Sequence, residues 1–394
     1  MAKGHVRQLK SGNWELVFDL PREPGEERKQ KSMTVKAANK KDAEKKLREI
    51  LRQIDEDTYV DPGKMTLGDF LTRWLNDYCV PNRRKTTVDG YRVIINKHLI
   101  PALGHIKLAK LRPLHIQEYY TYALQYGRAD GKGENKKLSP TTVHHHHSVL
   151  RKALGTAVKW QLLSRNVCDA VDPPRTKNYK AKVYDEDAVA RLLEVAEGTR
   201  KYIPILITLA TGLRRGEVLA LHWSDFDPQA GTIVVDESLV NTSGGPEFDE
   251  VKTESSRAVI DLPESVVEEL QAHRERQETE KNYAGEFWQE NDLIICKEDG
   301  TRWHPGGFSD SFKRLLKTHK LPHIRFHDLR HTHASHLIRM GFHPKVVSDR
   351  LRHSKIGTTM DTYGHLFPGI QKEVARKLDE TMFRKRPAES PKEE

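Results

Sequence analysis

The chain has 394 residues, enough for two or three domains, since single hydrophobic cores seldom grow past about 250–300 residues. Hydrophobic residues make up 37 % and charged residues 31 %, and no apolar run approaches the roughly 18–20 residues of a bilayer span; the N-terminal MAKGHVRQLKSGNW has no secretory pattern, so a cytoplasmic, membrane-free protein is expected. The net charge of +10 fits an anionic partner, and three scattered cysteines (Cys79, Cys168, Cys296) form neither a disulfide framework nor a zinc pattern.

The first 60 residues carry a net +3 and read as three short strands, His5–Leu9, Trp14–Leu20 and Gln30–Lys36. Turn-forming residues separate them at Ser11-Gly12-Asn13 and Pro21 to Glu27. A charged helix follows over about Asn39–Ile54, with Ala43, Leu47, Ile50, Leu51 and Ile54 on one face. A three-stranded sheet backed by one helix is the simplest assembly, and it is too small to catalyse by itself.

Residues 61–170 carry a net +10, so generic attraction to phosphate is expected to be strongest there. Thr66 is placed to cap a helix to about Tyr78, with Leu67, Phe70, Leu71, Trp74 and Leu75 as its buried stripe. Helical patterns recur near Thr86–His98, Pro113–Gln125 and Ser139–Gln161, and a polar loop runs from Gly127 to Lys137. The run His144 to His147 cannot converge on one ion, because successive helical residues turn by about 100°. It is read as a polar face near an anionic partner. Trp160 and Trp223 are read as core residues. Pro173-Pro174 and the basic stretch to Lys182 look like a linker.

The remainder carries a net −3 and mixes helices with a small antiparallel sheet. Helices are expected at Asp185–Ala196, Tyr202–Ala210, just after Thr211-Gly212, and at Phe326–Met340, Pro344–Leu351 and Ile370–Met382. Extended stretches are expected at Thr232–Leu239, Phe248–Lys252 and Arg257–Leu262.

Chemistry concentrates in this part. His327 and Arg330, three residues apart, project from one helix face, where a guanidinium fork suits phosphate oxygens and an imidazole can donate or move a proton. A metal site is the competing reading, since His327, His331, His333 and His336 crowd together, yet no third ligand or HExxH pattern accompanies them. Arg214 opens a helix, where N–H groups and the dipole favour an anion; the plainer alternative is a surface pair with Glu217. Lys252 sits where one strand turns into the next, and Tyr363 alone reads as a half-buried aromatic.

In this order and spacing, Thr211-Gly212-Leu213-Arg214-x-x-Glu217, the hairpin Lys252, His327-Asp-Leu-Arg-His-Thr332, Leu351-x-His353-Ser354 and a Tyr ten residues after His353 resemble the tyrosine recombinase (phage integrase) family. The resemblance covers about 180–385 and, more loosely, the segments before it, whose layout is similar to integrases of phages and integrative conjugative elements. It implies an arm-type DNA-binding domain over 1–60, an all-α core-binding domain over 65–170, an α+β catalytic domain over 180–385 and a charged tail over 386–394. Carried over residue by residue, it places Arg214 and Arg330 on the scissile phosphate. His327 and His353 would hydrogen-bond that phosphate, Lys252 would protonate the leaving 5′ oxygen, and Tyr363 would be the nucleophile. Two guanidiniums beside Tyr363 are expected to favour its charged form. No cofactor or metal is called for. The implied partners are double-stranded DNA with core-type and arm-type sites, a homo-tetramer on DNA, and an excision factor or host DNA-bending protein. One departure is Arg352, which stands where the family usually has Gly; it is expected to alter the local turn or add a DNA contact.

Overall fold

The structure, a computed structural model, describes residues 3–19, 30–55, 64–127, 137–176, 181–250, 258–353, 355–363 and 370–383. The expected turn at Pro21 to Glu27, most of the Gly127–Lys137 loop, part of the linker to Lys182, Lys252, Ser354 and the tail 386–394 lie outside the described residues. The chain divides into two compact units, Met1–Lys177 and Asn178–Glu394.

In the first unit, β1 (Gly4–Gln8), β2 (Trp14–Asp19) and β3 (Gln30–Val35) form an antiparallel sheet in that order, with Trp14 opposite Gln8 and Val35. Alternation along β2 sends Leu16 and Phe18 to one face. There they are buried with Ala43, Leu47 and Ile54 of α1 (Lys40–Asp55), and Ile50 and Leu51 pack at the edge. The Asn39 side chain accepts from the Asp42 N–H and starts the helix.

A second, all-helical cluster is built from long helical runs. Thr66 caps α2 (Leu67–Arg73) as expected: its Oγ1 accepts from the Asp69 N–H, and the Asp69 carboxylate accepts from the Thr66 N–H in return. The run passes through a wide π-type turn, Trp74–Cys79, into α3 (Val80–Asn82). The next, α4 (Lys85–Ile94), passes through a similar turn, Ile95–Leu99, into α5 (Ile100–Leu103). Both wide turns precede a proline, Pro81 or Pro101, whose missing N–H breaks the regular ladder, and the residue before each proline donates five residues back. Helices α6 (Pro113–Tyr126) and α7 (Pro140–Lys159) complete the cluster.

Two expectations for this unit change. His146 and His147 are buried, and their Nδ1 atoms lie 2.6 Å from the hydroxyls of Tyr119 and Tyr120 on α6. Half of the histidine run is therefore a satisfied polar core rather than an outward face. Burial holds His146 down at about 4, so it is neutral at ordinary pH. Trp160 remains 39 % exposed, with its ring T-shaped to those of Phe70 and Tyr78.

The second unit starts with α8 (Glu186–Ala196), α9 (Tyr202–Thr211) and the single turn α10 (Arg215–Val218). Strands β4 (Phe226–Asp227), β5 (Thr232–Val235), β6 (Glu237–Thr242), β7 (Gly245–Glu250) and β8 (Ala258–Asp261) follow. The extended stretch expected to run through Leu239 breaks at Asp236, so the strands form two sheets, β4-β5-β8 and β6-β7. Then come α11 (Glu264–Ala284), α12 (Pro305–Thr318), α13 (Asp328–Arg339), α14 (Pro344–Arg350), α15 (Ile356–Tyr363) and α16 (Ile370–Leu378). Trp223 is buried as expected, donating from Nε1 to Gln277 of α11 at 2.6 Å. Among the described residues, no helix is long and apolar enough to cross a membrane.

Candidate active site

Helix α9 ends at Gly212, whose φ of 71° lies in the left-handed region that glycine enters without strain. A Cβ here would sit 2.7 Å from the His333 ring and 2.8 Å from Leu351. The turn buries Leu213 and presents Arg214, with its side chain 45 % exposed, at the head of α10. The Arg214 N–H donates to Glu217 at 2.7 Å, and its guanidinium donates to the same carboxylate at 2.9 Å. The pairing weighed as the plain alternative is thus present. At this helix start α10 is one turn long, and the Glu217 carboxylate accepts the backbone N–H of Arg214.

Arg330, on α13, is only 3 % exposed. Its guanidinium donates to the carbonyl of Gly212 at 2.6 Å and to the carbonyl of Leu351. One side chain therefore pins the turn leading to Arg214 and the turn leading to His353. Burial, followed by the nearby Arg214 charge, lowers its pKa to about 10, so it stays cationic at neutral pH.

The second of those turns closes α14. The Arg352 N–H donates to Asp349 at 2.8 Å and the His353 N–H to Ser348 at 3.0 Å, the paired bonds of a Schellman motif with Arg352 at its left-handed position, φ 54°. A glycine would occupy this position without strain, which accounts for the family preference. Of the two expectations for Arg352, the structure shows the turn, and its side chain is turned inward to ion-pair with buried Glu217. His353 follows, half-buried, with Nδ1 2.8 Å from Thr359 Oγ1 on α15.

Tyr363 ends α15, 3 % exposed, packed with Ala334, Ile338, Val347 and Leu351. Its hydroxyl lies 2.6 Å from Nδ1 of His331 on α13. The expectation that guanidiniums favour its charged form is only partly met. Arg330 pulls the phenol down, but burial outweighs that pull and raises its pKa to about 12. The phenol is therefore held protonated.

His327 precedes α13 at the surface, beside a cleft of about 770 Å³ that Arg214, Arg215, Lys313, His323 and Arg325 also line. Partial desolvation, then the charges of its neighbours, lowers it to about 4, and His353 is lowered to about 4 for the same reasons. Arg330 feels the charges of Arg214 and Tyr363, and His353 feels those of Arg330, Arg214 and His327. Five of the six expected site residues thus fall in one cluster. The sixth, Lys252, lies outside the described residues, in the stretch joining β7 to β8.

The competing metal arrangement does not assemble. His331 meets Tyr363, His333 Nδ1 lies 2.7 Å from the Leu209 carbonyl, and His336 Nε2 lies 3.1 Å from the Tyr184 carbonyl. Among the described residues, no three His, Cys, Asp or Glu side chains are placed to hold an ion.

Residues 182–369 match the phage integrase family, and residues 66–124 match the phage integrase N-terminal SAM-like domain. The chain belongs to the phage integrase family. Within that family of tyrosine recombinases it is 26 % identical to the ICEBs1 integrase of Bacillus subtilis over 96 % of this chain and 100 % of that protein. It is also 26 % identical to a XerC-like tyrosine recombinase of Caldanaerobacter subterraneus subsp. tengcongensis, over 86 % of this chain and 90 % of the other. Its fold is similar to that of the Tn1549 transposon integrase, solved in complex with a circular intermediate DNA, with a TM-score of 0.67, 21 % identity and coverage of 80 % of this chain and 100 % of that one. For a phage integrase family member, sequence reasoning passed over three contacts: His331 to Tyr363, Thr359 to His353, and Glu217 to Arg352. Only the spacing of His327 and His331, read as metal-like, hinted at the first.

Proposed function

We propose that this chain is a site-specific DNA recombinase that cleaves and rejoins DNA through a 3′-phosphotyrosyl intermediate, integrating and excising a mobile element. The observation that carries the reading is the phenol of Tyr363 under the charge of Arg330, which in turn neighbours Arg214. In this reading Arg214 and Arg330 hold the non-bridging oxygens of the scissile phosphate, and His327 and His353 donate hydrogen bonds to it. Lys252 protonates the leaving 5′ oxygen, and Tyr363 attacks phosphorus. Cationic donors preorganised around growing negative charge are worth on the order of 10²–10³ in rate each. The ester formed with Tyr363 keeps the phosphodiester energy, so rejoining needs no nucleotide.

DNA is the partner, and the first unit supplies the grip. Arg151, Lys152, Lys159 and Arg165 line one groove there, with Arg151 paired to Asp169. The three-stranded sheet over 1–60 reads arm-type sites, 65–170 holds core-type sites, 180–385 catalyses, and 386–394 is a charged tail. The working form is a homo-tetramer on DNA in the cytoplasm, assisted by an excision factor or a host DNA-bending protein.

The test incubates the protein with nicked duplexes tiled across the DNA flanking its own coding sequence and resolves the products on denaturing gels. A protease-sensitive protein–DNA adduct on one or a few duplexes supports the reading. Binding to these duplexes without any adduct, under conditions where the protein is folded, would reduce the chain to a DNA-binding protein.

A further inference from the structure

The contact between Tyr363 and His331 has no part in the reaction scheme above, yet it touches the reacting atom. Tyr363 Oη lies 2.6 Å from His331 Nδ1, and the two rings sit 5.6 Å apart at 56°. The partners come from separate helices, α13 and α15, that close around a small apolar cluster. No other base is hydrogen-bonded to this phenol among the described contacts. Asp328, fully buried, is engaged by Arg325 through its backbone N–H at 2.8 Å and its guanidinium at 2.8 Å, while His353 Nδ1 faces Thr359.

We propose that His331 is the general base of strand cleavage, taking the phenolic proton of Tyr363 through Nδ1 as the oxygen attacks phosphorus. The proposal rests on Tyr363 being the nucleophile. As the Tyr363 Oη–P bond forms, the O–H pair stays on oxygen and the proton passes to the His331 ring. The P–O5′ bond breaks, and its electrons leave with the 5′ oxygen, which takes its own proton from the leaving-group acid. In rejoining, the incoming 5′ hydroxyl gives its proton back to the leaving-group acid as its oxygen attacks phosphorus. The P–Oη bond breaks with its electrons on the Tyr363 oxygen, and the His331 imidazolium returns the proton to that oxygen.

The surroundings suit this task. Burial holds the phenol near the upper end of its range, so it does not ionise unaided and needs a partner during the attack. Burial also lowers His331, which favours the neutral imidazole; in its Nε2–H tautomer Nδ1 accepts the hydrogen bond of the phenol. The groups that face the ring are Asp328, which favours the imidazolium, and Arg325 and Arg330, which oppose it. His327 packs edge-on at 5.2 Å, and His353 faces it from the turn after α14. The base is thus poised to accept a proton and then to give it back, which a reversible strand exchange requires.

The experiment measures single-turnover adduct formation on a reactive nicked duplex between pH 5 and 9. Wild type is compared with His331→Asn, His331→Gln and Tyr363→Phe, with folding checked by circular dichroism and DNA binding by anisotropy. Both amides still hydrogen-bond the phenol but accept no proton; the longer Gln guards against misfolding of the Asn variant. Loss of a general base predicts a rate reduced about 10²–10⁴-fold. Wild type should slow as pH falls and His331 takes up a proton, and this dependence should flatten in the variants. A 5′-phosphorothiolate substrate, whose leaving group needs no acid, should not rescue them. A folded, DNA-binding variant with a rate within threefold of wild type, or above it, overturns the proposal; an increase would make His331 a restraint on Tyr363 instead. An adduct formed by Tyr363→Phe at the wild-type rate would refute the choice of nucleophile itself, whatever the His331 variants do.

Discussion

Glu217 and Arg352 form an ion pair in which both side chains are more than nine-tenths buried, and the same carboxylate also holds Arg214. The pair joins the single turn α10 to the left-handed turn after α14, the two segments that carry Arg214 and His353. In this chain an arginine has replaced the expected glycine, and the strain of its backbone is offset by a charge contact that glycine could not make.

Two substitutions separate those effects. Arg352→Ala keeps the left-handed strain and loses the pair, whereas Arg352→Gly loses the pair but relieves the strain, which is worth about 1–2 kcal/mol for a residue with a Cβ. Urea denaturation should therefore find Arg352→Gly the more stable of the two by roughly 1 kcal/mol. Equal stabilities would mean that the turn does not strain Arg352. Glu217→Ala strands the Arg352 charge in a buried site and should cost about 3–5 kcal/mol.

The second prediction concerns Gly212. An added Cβ would meet His333 and Leu351 while the backbone keeps a positive φ. Gly212→Ala should lower the denaturation midpoint, costing at least about 1–2 kcal/mol from the backbone alone, and slow adduct formation by displacing Arg214 and Arg330 together. A stable variant with unchanged adduct kinetics would show that Arg330 does not depend on the Gly212 carbonyl for its position.

Much of this was legible beforehand, and the limit has a physical cause. The helix face Ala43, Leu47 and Ile54, the Thr66 cap and the Leu67–Leu75 stripe depend on neighbours within a turn or two, so periodicity and spacing reveal them. The motif residues around Arg214, Arg330 and His353 were readable for a similar reason, since each sits in a short stretch of distinctive chemistry. Helix α11 gave little signal because it is largely solvated, with Val266, Leu270 and Gln277 as its buried contacts. His146 with Tyr119, Arg352 with Glu217, and His331 with Tyr363 are separated by 27 or more residues, and nothing local announces such partners. The raised pKa of Tyr363 was misread for that reason: its cationic neighbour was visible in the motif, and the residue was read as half-buried where it is 3 % exposed.

Buried neutral histidines make stability pH-dependent. His146 and His333 are both held near 4 by burial, below the ordinary value of about 6.5. The unfolded chain therefore binds protons that the folded chain refuses, so their contribution is fully present above about pH 6.5 and is lost as pH falls through 4. The melting temperature should decline from pH 6.5 towards 4, and His333→Asn should blunt the decline if the variant folds. A melting temperature that is flat between pH 7 and 4 would contradict burial of these rings.

Binding to DNA should weaken steeply with salt. If the groove around Arg151, Lys152, Lys159 and Arg165 contributes to six or more phosphate contacts, affinity for a duplex falls by about 10³ or more between 50 and 200 mM salt. Fluorescence anisotropy on an arbitrary duplex measures the slope, and Lys159→Ala should reduce it by about one unit. A salt-independent affinity would remove the first unit from the role of clamp.

The most direct measurement is identification of the amino acid esterified to DNA. A trapped adduct is digested with nuclease and protease, and the modified peptide is sequenced by mass spectrometry. The nucleotide should be found on the peptide containing Tyr363, and Tyr363→Phe should yield no modified peptide while still binding the duplex. A nucleotide on any other residue, or its persistence in Tyr363→Phe, would contradict the account.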